Sequence, residues 1–363
     1  MRKMLFLFLI FLESFSCFSQ NLEFNEEYTK AKNGIIESQN YIARCYFNGI
    51  CVKKDYKKSF YWHNKAATEG FANSQYLLGI MYLEGLGTKK DSIVANYWFE
   101  KACENNHNGA CYVLAQLYGH KKNHWLEYMY LQKSDSLGCR ESAYSLYCFF
   151  AKNNDTVNAS KYLIKASQYN SQSQAKALYD LGVCYEQGIF TFPINDSMKI
   201  EYWSKSASLG YDIAQYALAN CYYYGQGVGV DLQEAIRYYK ISSSSGNIEA
   251  NYQLGICYWK IRDTINAIAC WNNSMGRKNG QSQYALAQYY FYEKNDEAQA
   301  FVYYKNSADL GYAPAQYAVS LFFFDGKIVN KNAKKGAIYL YRSAEQGYGE
   351  AMQLIKELEG ENK

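Results

Sequence analysis

The feature that most constrains this chain is an internal period of about 35 residues. Alignment on a small residue, followed four places later by an aliphatic and eight places later by an aromatic, gives ten anchors. They are Ser38, Ser74, Ala110, Ser142, Ala177, Ala214, Ala250, Ser282, Ala315 and Ala351, spaced 32 to 37 residues apart. A period of this size, sustained over most of 363 residues, marks stacked supersecondary units rather than one large core.

Each unit reads as a helix pair. The first helix carries an aliphatic at its fifth position (Leu78, Leu114, Leu218, Leu254) and an aromatic at its ninth (Tyr82, Tyr118, Tyr222, Tyr258). These positions lie about one turn apart on one face. The sixth position is small, as at Gly79, Gly182 and Gly255, so a neighbouring helix approaches closely there. Nine repeats place Asp or Asn where a second helix starts: Asp55, Asp91, Asn123, Asp155, Asp196, Asp231, Asp263, Asp296 and Asn332. Each is an expected N-cap, its side-chain oxygen accepting a first-turn N–H, and Asp231 with Glu234 has capping-box spacing. Gly70, Gly138, Gly210, Gly246, Gly311 and Gly347 follow the second helices as stops. Two prolines in the whole chain, beside 39 Tyr, 19 Phe and 6 Trp, fit long helices packed through aromatic contacts. The expected fold is all-α: a right-handed α-solenoid, or α/α superhelix, of about nine helix pairs, closed by a helix from Ala351 to Leu358.

The first residues differ. Arg2 and Lys3 precede an unbroken apolar run, Met4 to Leu12, and then Ser14, Ser16 and Ser19. This reads as a secretory signal peptide over residues 1–19, too short to span a bilayer as a mature helix. A lipoprotein anchored through Cys17 is the alternative. Residues 20–37 form a lead-in and 38–363 the repeat array. The expected location is periplasmic or secreted. The formal charge is +4 with both signs interspersed, so no basic surface points to nucleic acid.

The pattern resembles Sel1-like repeats, a branch of the tetratricopeptide superfamily. The resemblance rests on L-G-x-M-Y-x-x-G at Leu78–Gly85, G-x-G-V at Gly225–Val228, W-x-x-K-A at Trp98–Ala102 and Y-x-x-S-A-x-x-G at Tyr304–Gly311. It extends from about Ser38 to the C-terminus. Repeats three, four and seven depart from it, with shortened inter-helix loops that lack G-x-G. The resemblance implies first helices lining a concave face, and an adaptor role. Cys103 and Cys111, in K-A-C-E-N-N-H-N-G-A-C, resemble the disulfide of cysteine-rich Sel1-like proteins secreted by Helicobacter. That likeness implies a bridge between them. It also implies a second functional reading, a cell-envelope hydrolase or β-lactam-binding protein.

The other cysteines carry less. Cys45, Cys184, Cys221 and Cys257 share the eighth position of a first helix and read as small core residues. Equivalent sites in adjacent repeats lie roughly 16–20 Å apart, beyond disulfide reach. His120 and His124 are four apart but lack further ligands nearby, so a solvated loop is expected and no metal. Gly85-Leu86-Gly87 and Gly225-Gln226-Gly227 follow no strand and belong to the repeat, not to a phosphate loop. No Ser/His/Asp, Cys/His or paired-carboxylate constellation stands apart, so neither an enzyme nor a cofactor is expected.

The surplus aromatics need a role. Tyr76, Tyr216, Tyr252 and Tyr284 belong to a ladder at the third position; Tyr223, Trp259, Phe291 and Phe324 occupy the tenth, and Tyr224 and Tyr292 the eleventh. Two readings are open: packing against the second helix, or a groove that stacks on a peptide or glycan. The functional expectation is an exported scaffold whose concave surface binds a protein or peptide, with a glycan as the alternative ligand.

Overall fold

The computed structural model describes residues 22–275 and 280–360; the segment read as a signal peptide, with Cys17, lies outside them. The chain divides into two compact units, residues 1–177 with 190–192, and residues 178–189 with 193–363. Unit 1 contains α1 (22–32), α2 (Ile36–Asn48), α3 (Tyr56–Thr68), α4 (Ala72–Glu84), α5 (Ser92–Glu104), α6 (Asn108–His120), α7 (His124–Ser136), α8 (Glu141–Lys152) and α9 (Thr156–Gln168). The division falls within α10 (Gln174–Gln187). Unit 2 continues with α11 (Asp196–Ser208), α12 (Asp212–Tyr224), α13 (Leu232–Ser244), α14 (Ile248–Lys260), α15 (Thr264–Met275) and α16 (Gly280–Gln288), which runs into a π turn, Tyr289–Glu293. It ends with α17 (Glu297–Asp309), α18 (Ala313–Asp325), α19 (Ala333–Glu345) and α20 (Gly349–Gly360). Among the described residues the secondary structure is helical throughout, and each unit is a stack of antiparallel hairpins.

The caps form as the sequence directs at eight of the nine positions. Asp91, for example, accepts from Ile93 N at 2.9 Å and Val94 N at 3.1 Å. The exception is α11, where Asn195 is the cap, accepting from Met198 N at 3.0 Å, and Asp196 is the first helical residue. Freed from capping, Asp196 lies 2.7 Å from the ammonium of Lys199, a lysine buried where the other second helices carry Ser, Ala or Gly, or Glu127 in α7. The capping box at Asp231 does not close. Its N–H already donates to the Tyr222 carbonyl at 2.9 Å, and Glu234 turns instead to Arg237, 3.0–3.1 Å from Nε.

That backbone bond recurs. The cap residue's N–H reaches the carbonyl of the ninth-position residue in Asp55→Tyr46, Asp91→Tyr82, Asn123→Tyr118, Asp155→Phe150, Asn195→Tyr185, Asp231→Tyr222, Asp263→Tyr258, Asp296→Tyr290 and Asn332→Phe323, at 2.9–3.0 Å throughout. In six of these hairpins the ring of the ninth residue then stacks nearly parallel on a second-helix ring. Tyr118 lies on Tyr130, Phe150 on Tyr162, Tyr185 on Tyr202, Tyr222 on Tyr238, Tyr290 on Tyr303 and Phe323 on Tyr339, with centroids 5.3–6.1 Å apart.

The small sixth position receives a bulky side chain of the second helix. A Cβ on Gly79 would lie 2.5 Å from the Phe99 ring, one on Gly182 2.2 Å from Trp203, and one on Gly255 2.3 Å from Trp271. These glycines therefore answer to packing rather than to backbone conformation.

Successive hairpins are tied at the corner. The residue after the repeat anchor, in the first turn of the first helix, bonds back eight positions: Gln75 Nε2 donates to the Ala67 carbonyl at 3.1 Å, Gln215 to Ala207 and Gln316 to Ala308, each at 3.3 Å. At the same place in the third repeat stand Cys111 and Cys103, joined in a disulfide with Cα atoms 4.9 Å apart. The bridge replaces a recurring amide–carbonyl bond. The left-handed corner residue there is Asn106 (φ 61°), where Gly70, Gly138, Gly210, Gly246, Gly311 and Gly347 stand at other corners. The lead-in behaves as part of the array. On α1, Phe24 and Ala31 are buried, Tyr28 packs edge-on against Trp62 at 5.7 Å, and Gln39 Nε2 donates to the Ala31 carbonyl at 3.3 Å.

Two outcomes follow from this packing. Gly182→Ala or Gly255→Ala is expected to lower stability by about 1–3 kcal/mol through overpacking, read by chemical denaturation. Reducing Cys103–Cys111 is expected to cost about 2–3 kcal/mol for so short a loop. The pair Cys103→Ala with Cys111→Gln should recover about 1 kcal/mol of that by restoring the amide bond.

Candidate functional site

The third-position ladder works as a staple between hairpins. Tyr76 packs on Phe99 at 5.9 Å and stacks on His107 at 4.5 Å. Tyr179 lies on Trp203 and Tyr211, Tyr284 on Tyr304 and Tyr312, and Tyr317 on Tyr348. Each links its own repeat to the corner residue three places before the next anchor. Tyr216 tilts against buried Tyr239 at 5.8 Å, and Tyr252 packs against the core cluster that holds Trp271 and Leu254.

The tenth and eleventh positions diverge. Trp259 is wedged against Trp271 at 5.4 Å and Tyr289 at 5.8 Å. Phe324 turns toward α19, where a Cβ on Gly336 would lie 2.6 Å from its ring. It is absent from the lining of the cleft described below. These two are packing residues, because each meets a void or a ring on its own second helix. Tyr223 lies under the Lys260 ammonium at 4.1 Å, and Tyr224 beside it is 56% exposed.

Phe291 and Tyr292 behave otherwise. They sit on the π turn that ends α16. Such a turn holds one more residue than an α turn, and π turns recur at functional sites. Their rings meet edge-on at 4.9 Å, and Tyr292 is 68% exposed. Together with Tyr284 they line a cleft of about 320 Å³ in unit 2. Tyr317, Leu321 and Phe322 of α18, buried Tyr304 of α17 and Tyr348 complete the apolar lining. Glu297, Asp325, Lys327 and Glu350 stand around it. Burial pushes the phenols of Tyr284 and Tyr348 up to about 12, and the Glu350 charge adds to both shifts. The cleft is therefore apolar-walled with an acidic edge, and it brings together three of the ten aromatic positions singled out from the sequence. Tyr304, Tyr317, Phe322 and Tyr348 join them. Tyr348 was detectable in the column three places before each anchor, with His107, Tyr211 and Tyr312.

Groups of potential chemical interest are occupied elsewhere. His63 is fully buried, its Nδ1 3.1 Å from Ser74 Oγ, while that hydroxyl donates to Asn40 Oδ1 at 3.1 Å. Nδ1 therefore carries the proton and does not act as a base toward Ser74. Burial, and then the Arg44 charge, push His63 down to about 3. An S-x-x-K spacing occurs at Ser173–Lys176, but Ser173 Oγ donates to Glu141 at 2.6 Å and Lys176 lies over the Tyr144 ring. His124 Nδ1 is 3.1 Å from Glu127. Burial raises the Cys184 and Cys257 thiols to about 12 and that of Cys221 to about 11, which leaves them unreactive. Among the described residues no cluster of His, Cys, Asp or Glu suits a metal ion, and no helix is long and apolar enough to cross a membrane.

Stacked helical hairpins of this period define a helical repeat protein. The Sel1 repeat model matches residues 36–71, 72–107, 175–211, 212–247, 248–260, 280–312 and 313–348, and the chain belongs to that family. The stretch between residues 107 and 175 keeps the hairpin geometry without matching, in the region of shortened loops. Chitin synthase regulatory factor 3 of Schizosaccharomyces pombe is 28% identical over 208 residues, which are 52% of this chain and 22% of that protein. Chitin synthase regulator SKT5 of Saccharomyces cerevisiae is 27% identical over 195 residues, 52% of this chain and 24% of its own. The chain thus spans about a quarter of the length of these relatives. A protective antigen of uropathogenic Escherichia coli with an SLR fold superposes with a TM-score of 0.70 at 22% identity, over 90% of this chain and 80% of that one. This likeness shows the fold. Sel1 repeat proteins serve as protein-interaction scaffolds and are typically non-enzymatic.

His63 generates a pH dependence. Its folded value of about 3 lies below the ordinary 6.5, so between the two only the unfolded chain binds the proton. Stability is therefore complete above about pH 6.5 and falls with acidification by up to ~1.4 kcal/mol per pH unit. Denaturation between pH 7 and 5 should show this slope, and His63→Gln should flatten it. Trp259→Ala is expected to cost about 3–5 kcal/mol in stability, measured the same way.

Proposed function

We propose that this chain is an exported protein-interaction scaffold that takes a segment of a partner protein in the cleft between α16, α17 and α18. The observation that carries the reading is the cleft itself. Tyr292 and Leu321, 68% and 41% exposed, face solvent in a pocket otherwise walled by half-buried rings. Rigid aromatics around a recess are the usual anchors of binding hot spots, and ligand pockets join apolar walls to a few placed polar groups. Family membership supports the scaffold class. Export is supported by the basic and apolar start of the chain and by the Cys103–Cys111 bridge, which suits an oxidising compartment.

A peptide-display library panned against the full chain tests the binding site. Enriched peptides should lose at least tenfold in affinity to Tyr292→Ala and to Leu321→Asp. They should keep it for Ile93→Ala, which alters an exposed apolar residue of unit 1. Enrichment that is insensitive to both cleft variants would reject this site. Mass spectrometry of the exported chain should find a first residue of Gln20.

A further inference from the structure

Resting on that reading of the cleft, we propose that its occupant is a cationic side chain, arginine or lysine, presented by the partner segment. Three observations converge on this chemistry. The walls are ring faces and edges: Tyr284, Phe291, Tyr292, Tyr304, Tyr317 and Phe322. Aromatic faces attract ammonium and guanidinium groups within about 6 Å of the ring centre.

The edge of the cleft carries three carboxylates, Glu297, Asp325 and Glu350, against one ammonium, Lys327. Lys327 lies 3.6 Å from Asp325, so these two offset each other. Among the described residues neither Glu297 nor Glu350 is in an ion pair. Each lies in the first turn of its helix, α17 and α20, where the backbone N–H groups favour a carboxylate without a counter-cation. The Glu350 charge contributes to raising the phenols of Tyr284, Tyr317 and Tyr348. Burial is the larger cause of each of these shifts and the Glu350 charge adds to it, so that negative charge is felt at three points around the cleft.

The third observation is a contrast within the molecule. Elsewhere the chain covers its rings with its own cations: Lys260 lies over Tyr223 at 4.1 Å, Arg237 over Tyr238 at 4.0 Å, Lys205 over Tyr202 at 5.3 Å and Lys65 over Tyr61 at 4.9 Å. Among the described residues no lysine or arginine head lies over a ring of the cleft. Its aromatic surface and its surplus negative charge are left for a cation from another molecule. A neutral apolar side chain would fill the recess but would make no use of the Glu297 and Glu350 charges at its edge.

The test is ligand-observed NMR titration of the full chain with nonapeptides of Gly and Ser that carry Arg, Lys, citrulline or Leu at the centre. Arg and Lys peptides are expected to bind at least fivefold more tightly than the citrulline and Leu peptides, and to weaken as salt is raised. Glu350→Gln should weaken the Arg peptide about three- to tenfold and leave the Leu peptide unchanged. Lys327→Ala, at an exposed position, should tighten the Arg peptide. If citrulline and Leu peptides bind as well as Arg and lose binding in Tyr292→Ala, the cation assignment is overturned and the cleft stands as a neutral peptide site. If none of the peptides binds, or Tyr292→Ala changes nothing, both the assignment and the cleft reading fall. Free L-arginine amide binding as tightly as the peptide would overturn the peptide as its source.

Discussion

In each hairpin one Asp or Asn serves both helices. Its side-chain oxygen caps the second helix, and its N–H donates to the carbonyl of the ninth-position residue of the first. The two bonds fix where the second helix starts relative to the end of the first. They hold across a nine-residue separation, Tyr46 to Asp55, and a five-residue one, Tyr118 to Asn123. In the short loops the left-handed turn is taken by Lys122, Asn154, Arg262 and Asn295, with φ between 51° and 63°. Loop length is therefore free to vary, which is how hairpins without the glycine-rich loop keep the geometry of the others. With the start of the second helix fixed, the stacked rings and the socket at the sixth position fall into register.

The same clamp sets conditions for the site. Asp296 bonds the carbonyl of Tyr290 even though α16 ends in a π turn, and Tyr290 keeps its stack on Tyr303. The irregularity is thus confined to the residues beyond the stack, where it presents Phe291 and Tyr292. A rigid hairpin with one local departure gives a recess whose walls are held from behind by Tyr304 and Phe322, both in ring contact with Phe291. Preorganisation of this kind lowers the cost of binding, and the acidic edge gives the recess a sign.

Corner chemistry shows how one position accepts different solutions. Gln75, Gln215 and Gln316 each reach back eight residues to a carbonyl, while Cys111 reaches back the same distance to Cys103. The disulfide is a covalent version of a tie the array already makes, so it needs no rearrangement of the hairpins on either side. Asn251 with Ser243 at 3.0 Å is a third version.

The period, the helix pairs, the caps and the small sixth position were determined by the sequence alone, because each depends on residues close in the chain or on a repeating column. Where local rules met a competitor, they yielded. Asp196 gave its cap to Asn195, one residue earlier, and the Asp231 capping box gave way to a longer-range backbone bond. The aromatic surplus was visible in the sequence, but its division was not. Tyr76, Tyr216, Tyr252, Trp259 and Phe324 become packing residues, while Tyr284, Phe291 and Tyr292 line a cleft. That choice depends on which rings and voids the second helices and the next corner present, and such facing surfaces come into contact only when the hairpins are stacked. The acidic edge has the same origin: Glu297, Asp325 and Glu350 are up to 53 residues apart in sequence, and only the tertiary structure places them around one recess.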